Sequence, residues 1–158
     1  MRSIAFIISL SCLAFSCSGQ SNSGVHEFPV QKSPEEWKEV LSEEEYEILR
    51  EKGTEPSYSG DLLTEKRTGI YTCAGCNQEL FKSNTKFESG TGWPSFYDAV
   101  NGKVVLQTDS SFFLLRQEIL CSNCGGHLGH VFDDGPKPTG LRYCVNSLSL
   151  DFIPKEKP

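Results

Sequence analysis

Two C-x-x-C pairs, Cys73-Ala74-Gly75-Cys76 and Cys121-Ser122-Asn123-Cys124, constrain this chain more than any other feature. In each pair, two thiolates three residues apart can face one ion. Gly75, Gly125 and Gly126, with Asn77, ease the tight backbone turns this needs. Two such knuckles close a tetrahedral four-sulfur site with no open coordination position. The expectation is therefore a structural zinc ion, one per chain, held by Cys73, Cys76, Cys121 and Cys124. Iron would also fit four thiolates. Two disulfides are the competing reading. A redox C-x-x-C is the third, and two near-identical knuckles disfavour it.

Three further cysteines complete the seven: Cys12, Cys17 and Cys144. The first two lie in an N-terminal stretch with Arg2 as a positive start and a mostly apolar run from Ile4 to Phe15. Residues 1–16 read as an export signal, too short for a membrane span. Leu13-Ala14-Phe15-Ser16-Cys17, followed by a polar flexible run, resembles a bacterial lipoprotein processing site. Cys17 would then be the lipidated first residue, on the periplasmic or outer face of a bacterial membrane. The alternative is simple cleavage near Ser16 and a soluble periplasmic or secreted protein.

The length of 158 residues suggests one domain beyond this leader, and the net charge of −6 argues against a nucleic-acid backbone as partner. Residues 17–33 read as a flexible linker and 34–158 as the domain. Ser33-Pro34-Glu35-Glu36 is a helix start, with Trp37, Val40 and Leu41 at helical spacing behind it. Ser42 with Glu45 repeats the capping pattern, and a second helix should run to about Lys52 with Gly53 past its end. Trp37, Leu41, Tyr46 and Leu49 should pack on the main body. From Gly69 the pattern turns to strands: 69–72, 79–81, 95–99, 103–107, 112–120, 127–132 and 141–153. Phe112-Phe113-Leu114-Leu115 suggests a strand buried on both faces. In the last strand, Leu148, Leu150 and Phe152 should face inward and Ser147, Ser149 and Asp151 outward.

The leftover Cys144 shares a strand face with Arg142 and Asn146 if the period of two is extended backward. Arg142 favours thiolate over thiol, and Asn146 can donate a hydrogen bond. Cys144 is thus a candidate nucleophile, against the plain alternative of a buried small hydrophobe. His127-Leu128-Gly129-His130-Val131-Phe132-Asp133-Asp134 holds two of only three histidines beside acidic groups, which suits acid–base work. Gly90-Thr91-Gly92-Trp93-Pro94 sets an aromatic in a stiffened turn, either a core residue or a wall for an apolar ligand group.

Together these blocks resemble the B-type methionine sulfoxide reductases. The resemblance rests on Glu51-Lys52-Gly53-Thr54-Glu55-Pro56, both knuckles, Ser89-Gly90-Thr91-Gly92-Trp93-Pro94-Ser95-Phe96, His127-Leu128-Gly129-His130-Val131-Phe132 and Arg142-Tyr143-Cys144-Val145-Asn146-Ser147. It implies a mainly β fold of two antiparallel sheets around the zinc site, a β-tent, with short N-terminal helices. It implies reduction of methionine (R)-sulfoxide, in proteins or free, with Cys144 as nucleophile and His127, His130, Asp134, Arg142 and Asn146 around it. Trp93 would pack on the substrate methyl group, with Phe132 as a second apolar wall. No organic cofactor is implied. The partners would be oxidised proteins and a thioredoxin-like or other thiol reductant, and a monomer is expected. Many family members carry a resolving cysteine where this chain has Thr91, so the resemblance points to a one-cysteine type. Two other classes compete: a zinc-knuckle binding module with a dispensable Cys144, and a zinc hydrolase using the histidines.

Overall fold

The computed structural model describes residues 27–111 and 115–156. The leader, Cys17 and Phe112 to Leu114 lie outside the described residues. Among the described residues, two short helices come first, α1 (Pro34–Val40) and α2 (Glu43–Glu51). Both start on capping boxes. The Glu36 N–H donates to Ser33 Oγ at 3.2 Å while the Ser33 N–H donates to the Glu36 carboxylate at 2.7 Å. Ser42 and Glu45 repeat the exchange at 3.1 and 2.8 Å. Trp37, Leu41 and Leu49 are buried and Tyr46 packs against the core, as expected, but Val40 points to solvent. At the end of α2 the left-handed residue is Lys52, one place earlier than the glycine. The chain before α1 already docks: the Val30 N–H donates to the Asn123 carbonyl at 2.8 Å.

Among the described residues, nine strands follow in two antiparallel sheets. They are β1 (Gly69–Cys73), β2 (Glu79–Lys82), β3 (Lys86–Phe87), β4 (Ser95–Phe96), β5 (Val104–Asp109), β6 (Arg116–Cys121), β7 (His127–Phe132), β8 (Arg142–Val145) and β9 (Leu150–Pro154). The small sheet runs β2-β1-β9 and the large one β3-β4-β8-β7-β6-β5. Aromatic rings join them across the core. Phe96 of the large sheet stacks on Phe81 at 4.4 Å and meets Tyr71 edge-on at 4.9 Å. Such pairs add roughly 0.5–1.5 kcal/mol each beyond the area they bury.

Four expectations change. Of the strand expected over 112–120, the described part starts at Arg116, and Leu115 is 80% exposed rather than buried. The strand at 95–99 is reduced to Ser95–Phe96, and β3 is an addition. The single strand over 141–153 is two, β8 and β9, separated by a 3-10 turn at Ser147–Ser149. That turn reverses the expected facing, because Ser147 and Ser149 are buried and Leu148 is only partly so. Their hydroxyls explain it: Ser149 Oγ donates to the Asn146 carbonyl at 2.7 Å, and Ser147 Oγ accepts from the Leu62 N–H at 2.8 Å. The break also lets one segment serve both sheets, since β8 belongs to the large sheet and β9 to the small one.

Candidate active site and metal centre

The four knuckle sulfurs converge where the sheets meet. Cys73 ends β1 and Cys121 ends β6, while Cys76 and Cys124 sit in the turns that follow. All four sulfurs lie within 4.8 Å of one another. Cys73–Cys124 is 3.7 Å and Cys76–Cys121 is 3.5 Å. A zinc ion with Zn–S of about 2.3 Å needs tetrahedral S–S edges of about 3.8 Å, whereas a disulfide needs about 2.05 Å. The donor set therefore fits a metal and not two disulfides. Asn77 and Gly125 take left-handed φ angles of 58° and 69° in the knuckle turns. A Cβ on Gly125 would also land 2.7 Å from the Phe28 ring.

Cys144 lies elsewhere, in the large sheet. It pairs across the ladder with Ser95 of β4 on one side and His130 of β7 on the other. Cross-strand partners share a face, so the three side chains stand in a row. Gly129 makes the close approach of β7 and β8 feasible: with φ of 153°, a Cβ there would meet the Cys144 carbonyl oxygen at 2.1 Å. The row opens into a cleft of about 160 Å³, lined by Trp93, Phe132, Arg116, His130, Cys144 and Asn146 among others. A larger groove of about 630 Å³ lies around Tyr143, Lys82 and Asp98, with no cysteine or histidine in its lining.

Burial pushes the Cys144 thiol above the usual cysteine value, and contacts with Thr91, Arg142 and Ser95 recover only part of the shift. Thr91 Oγ1 sits 3.9 Å from the sulfur, at the end of a hydroxyl chain through Ser89 to Ser95. The Arg142 guanidinium pairs with both Asp134 oxygens, at 2.7 and 2.8 Å, and lies over the Phe132 ring at 4.3 Å. Trp93 is half-buried and donates its indole N–H to the Glu55 carbonyl at 3.0 Å. His130 Nε2 lies 2.8 Å from Asp109 Oδ2, and His127 Nδ1 lies 2.7 Å from Glu118 Oε1. Burial lowers the His130 value, against the opposing effect of its hydrogen bond to the Asp109 carboxylate.

A SelR domain matches residues 41–154. The chain belongs to the SelR family. Among its relatives are proteins named peptide methionine sulfoxide reductase MsrB. The one from Methanosarcina barkeri is 60% identical over 129 residues, covering 81% of this chain and 91% of its own. The one from Leptospira interrogans is 59% identical over 126 residues, 79% of this chain and 96% of its own. The Leifsonia xyli protein is 51% identical over 138 residues, 86% and 99% of the two chains.

In this SelR chain, Cys144, His130, Trp93, Phe132 and Asn146 come together at the cleft, and Arg142 with Asp134 forms its flank. His127 stands behind His130, ring centres 5.4 Å apart. Asn146 differs from expectation in what it bonds. Its Nδ2 donates to the Leu128 carbonyl at 3.1 Å and its Oδ1 accepts from the Glu55 N–H at 3.2 Å, so the amide holds backbone. Neither histidine joins the sulfurs: among the described residues the cluster that could hold a metal is the four cysteines. Asp109, Arg116 and Glu118 were not singled out from sequence, and Glu55 and Ser95 stood in the quoted blocks without a role of their own. Arg116 lines the cleft directly, and the others act through partners reached only once the strands are in register.

Proposed function

We propose that this chain is an oxidoreductase that reduces methionine (R)-sulfoxide in proteins to methionine, with Cys144 as nucleophile. The observation that supports it best is a half-buried thiol in a narrow cleft, beside an imidazole and walled by Trp93 and Phe132. A sulfoxide oxygen leaves poorly unless protonated, so the reaction needs a thiolate next to a proton donor. The imidazole pair takes the Cys144 thiol proton and passes it to the sulfoxide oxygen as Sγ attacks the sulfoxide sulfur. The S–O bond breaks, the oxygen passes to Sγ, methionine leaves, and Cys144 is left as a sulfenic acid. Trp93 and Phe132 hold the methyl and thereby select the R epimer.

Thr91 faces the nucleophile and offers no second sulfur. Recycling therefore uses external thiols. One attacks the sulfenic sulfur and expels water, and a second displaces Cys144 to give an external disulfide. The four-cysteine centre would hold zinc as a cross-link between the sheets and takes no part in these steps. We also propose export with lipidation at Cys17, for which the apolar run and the small residue before Cys17 speak. A mature mass lacking the acyl increment would overturn that.

The deciding experiment is turnover of separated R and S sulfoxide peptides with dithiothreitol. The R epimer should be consumed and the S epimer left. Cys144→Ser should lose at least about 10³-fold in rate while keeping one metal per chain. Folded, metal-loaded wild type that leaves the R epimer untouched overturns the reading.

A further inference from the structure

Behind the cleft lies a buried carboxylate that the reaction as described does not use. Glu118 of β6 is only 2% exposed. Its carboxylate receives two partners: Lys52 Nζ at 2.8 Å and His127 Nδ1 at 2.7 Å. Burial raises the Glu118 value, but the hydrogen bonds from His127 and Lys52 outweigh it, so the group is a carboxylate. His127 is equally buried, and its Nε2 has no hydrogen-bond partner. Buried polar atoms in native proteins are almost always bonded, so such an atom calls for a reason.

The sheet register supplies the rest of the arrangement. Glu118 pairs with His130, and His130 pairs with Cys144, so the carboxylate stands two strands from the nucleophile in the same cross-strand row. The His127 ring meets the His130 ring edge-on at 5.4 Å, at 65°. Lys52 reaches Glu118 from the left-handed end of α2, which anchors the carboxylate from outside the sheet. The charged and titratable groups around the His127 ring are thus Glu118 with its Lys52 on one side and His130 on the other. His130 in turn carries Asp109 and, through it, Arg116.

We propose that Glu118 is a positioning residue for the reaction, fixing the tautomer of His127 so that Nδ1 carries the proton and Nε2 is the working nitrogen. A carboxylate can only accept, so the Glu118–Nδ1 contact requires a hydrogen on Nδ1. Nε2 is then the one nitrogen of the His127 ring left to exchange a proton. The same logic operates where a buried carboxylate orients a catalytic imidazole and its amide replacement presents the wrong nitrogen. This rests on the reading that the imidazole pair protonates the sulfoxide oxygen. It adds that the pair is set by a carboxylate that never touches substrate.

Two measurements test it. In wild type, ¹⁵N NMR of the His127 ring, at a pH where the ring is neutral, should show hydrogen on Nδ1 and none on Nε2. The opposite tautomer overturns the proposal without any variant. In Glu118→Gln the amide can donate as well as accept, so the tautomer is released. The kcat for R-sulfoxide peptide should fall at least tenfold, with KM within about twofold and the ring signals shifted toward Nε2–H. A kcat within twofold of wild type overturns it. So does a loss that follows melting temperature or metal content while the ring keeps its wild-type signals. Cys144→Ser in the same assay separates the two levels. If that variant still turns over, the function fails. If it is dead and Glu118→Gln is normal, only the positioning role fails.

Discussion

At Cys144 two residue-level effects oppose each other, and burial wins. From sequence, Arg142 two residues away argues for a thiolate, and its charge does act in that direction. Yet Arg142 is also engaged with both oxygens of Asp134, and the sulfur sits among buried strand neighbours. The folded thiol therefore titrates above the usual cysteine value. The sign follows: at neutral pH the resting group is mostly thiol, and its reactivity rises with pH to a midpoint above that of an exposed cysteine. Alkylation at Cys144, followed by peptide mass against pH, should show that raised midpoint. Arg142→Ala should move it higher still, because a favourable cation is lost. A wild-type midpoint below that of free cysteine would contradict this balance. The residue types of the site were legible because their spacing is local, as with Arg142 and Cys144 on one face. The Asp109 and Glu118 partners were not, because each meets its histidine only through the pairing of β5, β6 and β7.

Among the elements, the helix starts were plain in the sequence because a capping box is complete within four residues. The division of the last strand was not. Alternating Leu148, Leu150 and Phe152 satisfy a continuous strand, and the group that stabilises the break comes from far away. Glu55, buried in the loop after α2, accepts from the Ser147 N–H at 2.6 Å and the Leu148 N–H at 2.9 Å. Its own N–H donates to Asn146 and its carbonyl receives the Trp93 indole, so one residue ties the 3-10 turn, the Cys144 strand and the cleft wall together. Glu55→Ala leaves a buried and a partly buried N–H group unpaired, each worth up to about 1–3 kcal/mol. Urea denaturation should show a loss of about 2–6 kcal/mol, and a loss below about 0.5 kcal/mol would mean the turn holds without the carboxylate.

For the molecule as a whole, the question is what joins a three-stranded sheet to a six-stranded one. The aromatic contacts across the interface supply a few kcal/mol beyond area burial. The four sulfurs lie at the ends of β1 and β6 and in the turns beyond, so a metal there bonds one sheet directly to the other. Without the ion, four thiols crowd into a buried space shaped for charge-neutralised thiolates, and the knuckle turns are left with the Gln78 Nε2 bond to Ser122 Oγ at 2.9 Å as a direct link. Metal affinity then becomes folding free energy, as in small zinc domains where the apparent value reaches about 10–16 kcal/mol. Cys144 lies outside the cluster and would not be a ligand, so the metal should govern stability rather than the chemical step. Removing it with a strong chelator should abolish or sharply lower the cooperative melting transition and open Cys73, Cys76, Cys121 and Cys124 to alkylation together. Restoring stoichiometric zinc should recover the transition and, with it, activity in proportion to the folded fraction. An apo protein that melts at the holo temperature, with the four sulfurs still protected, would show that the aromatic core alone holds the sheets.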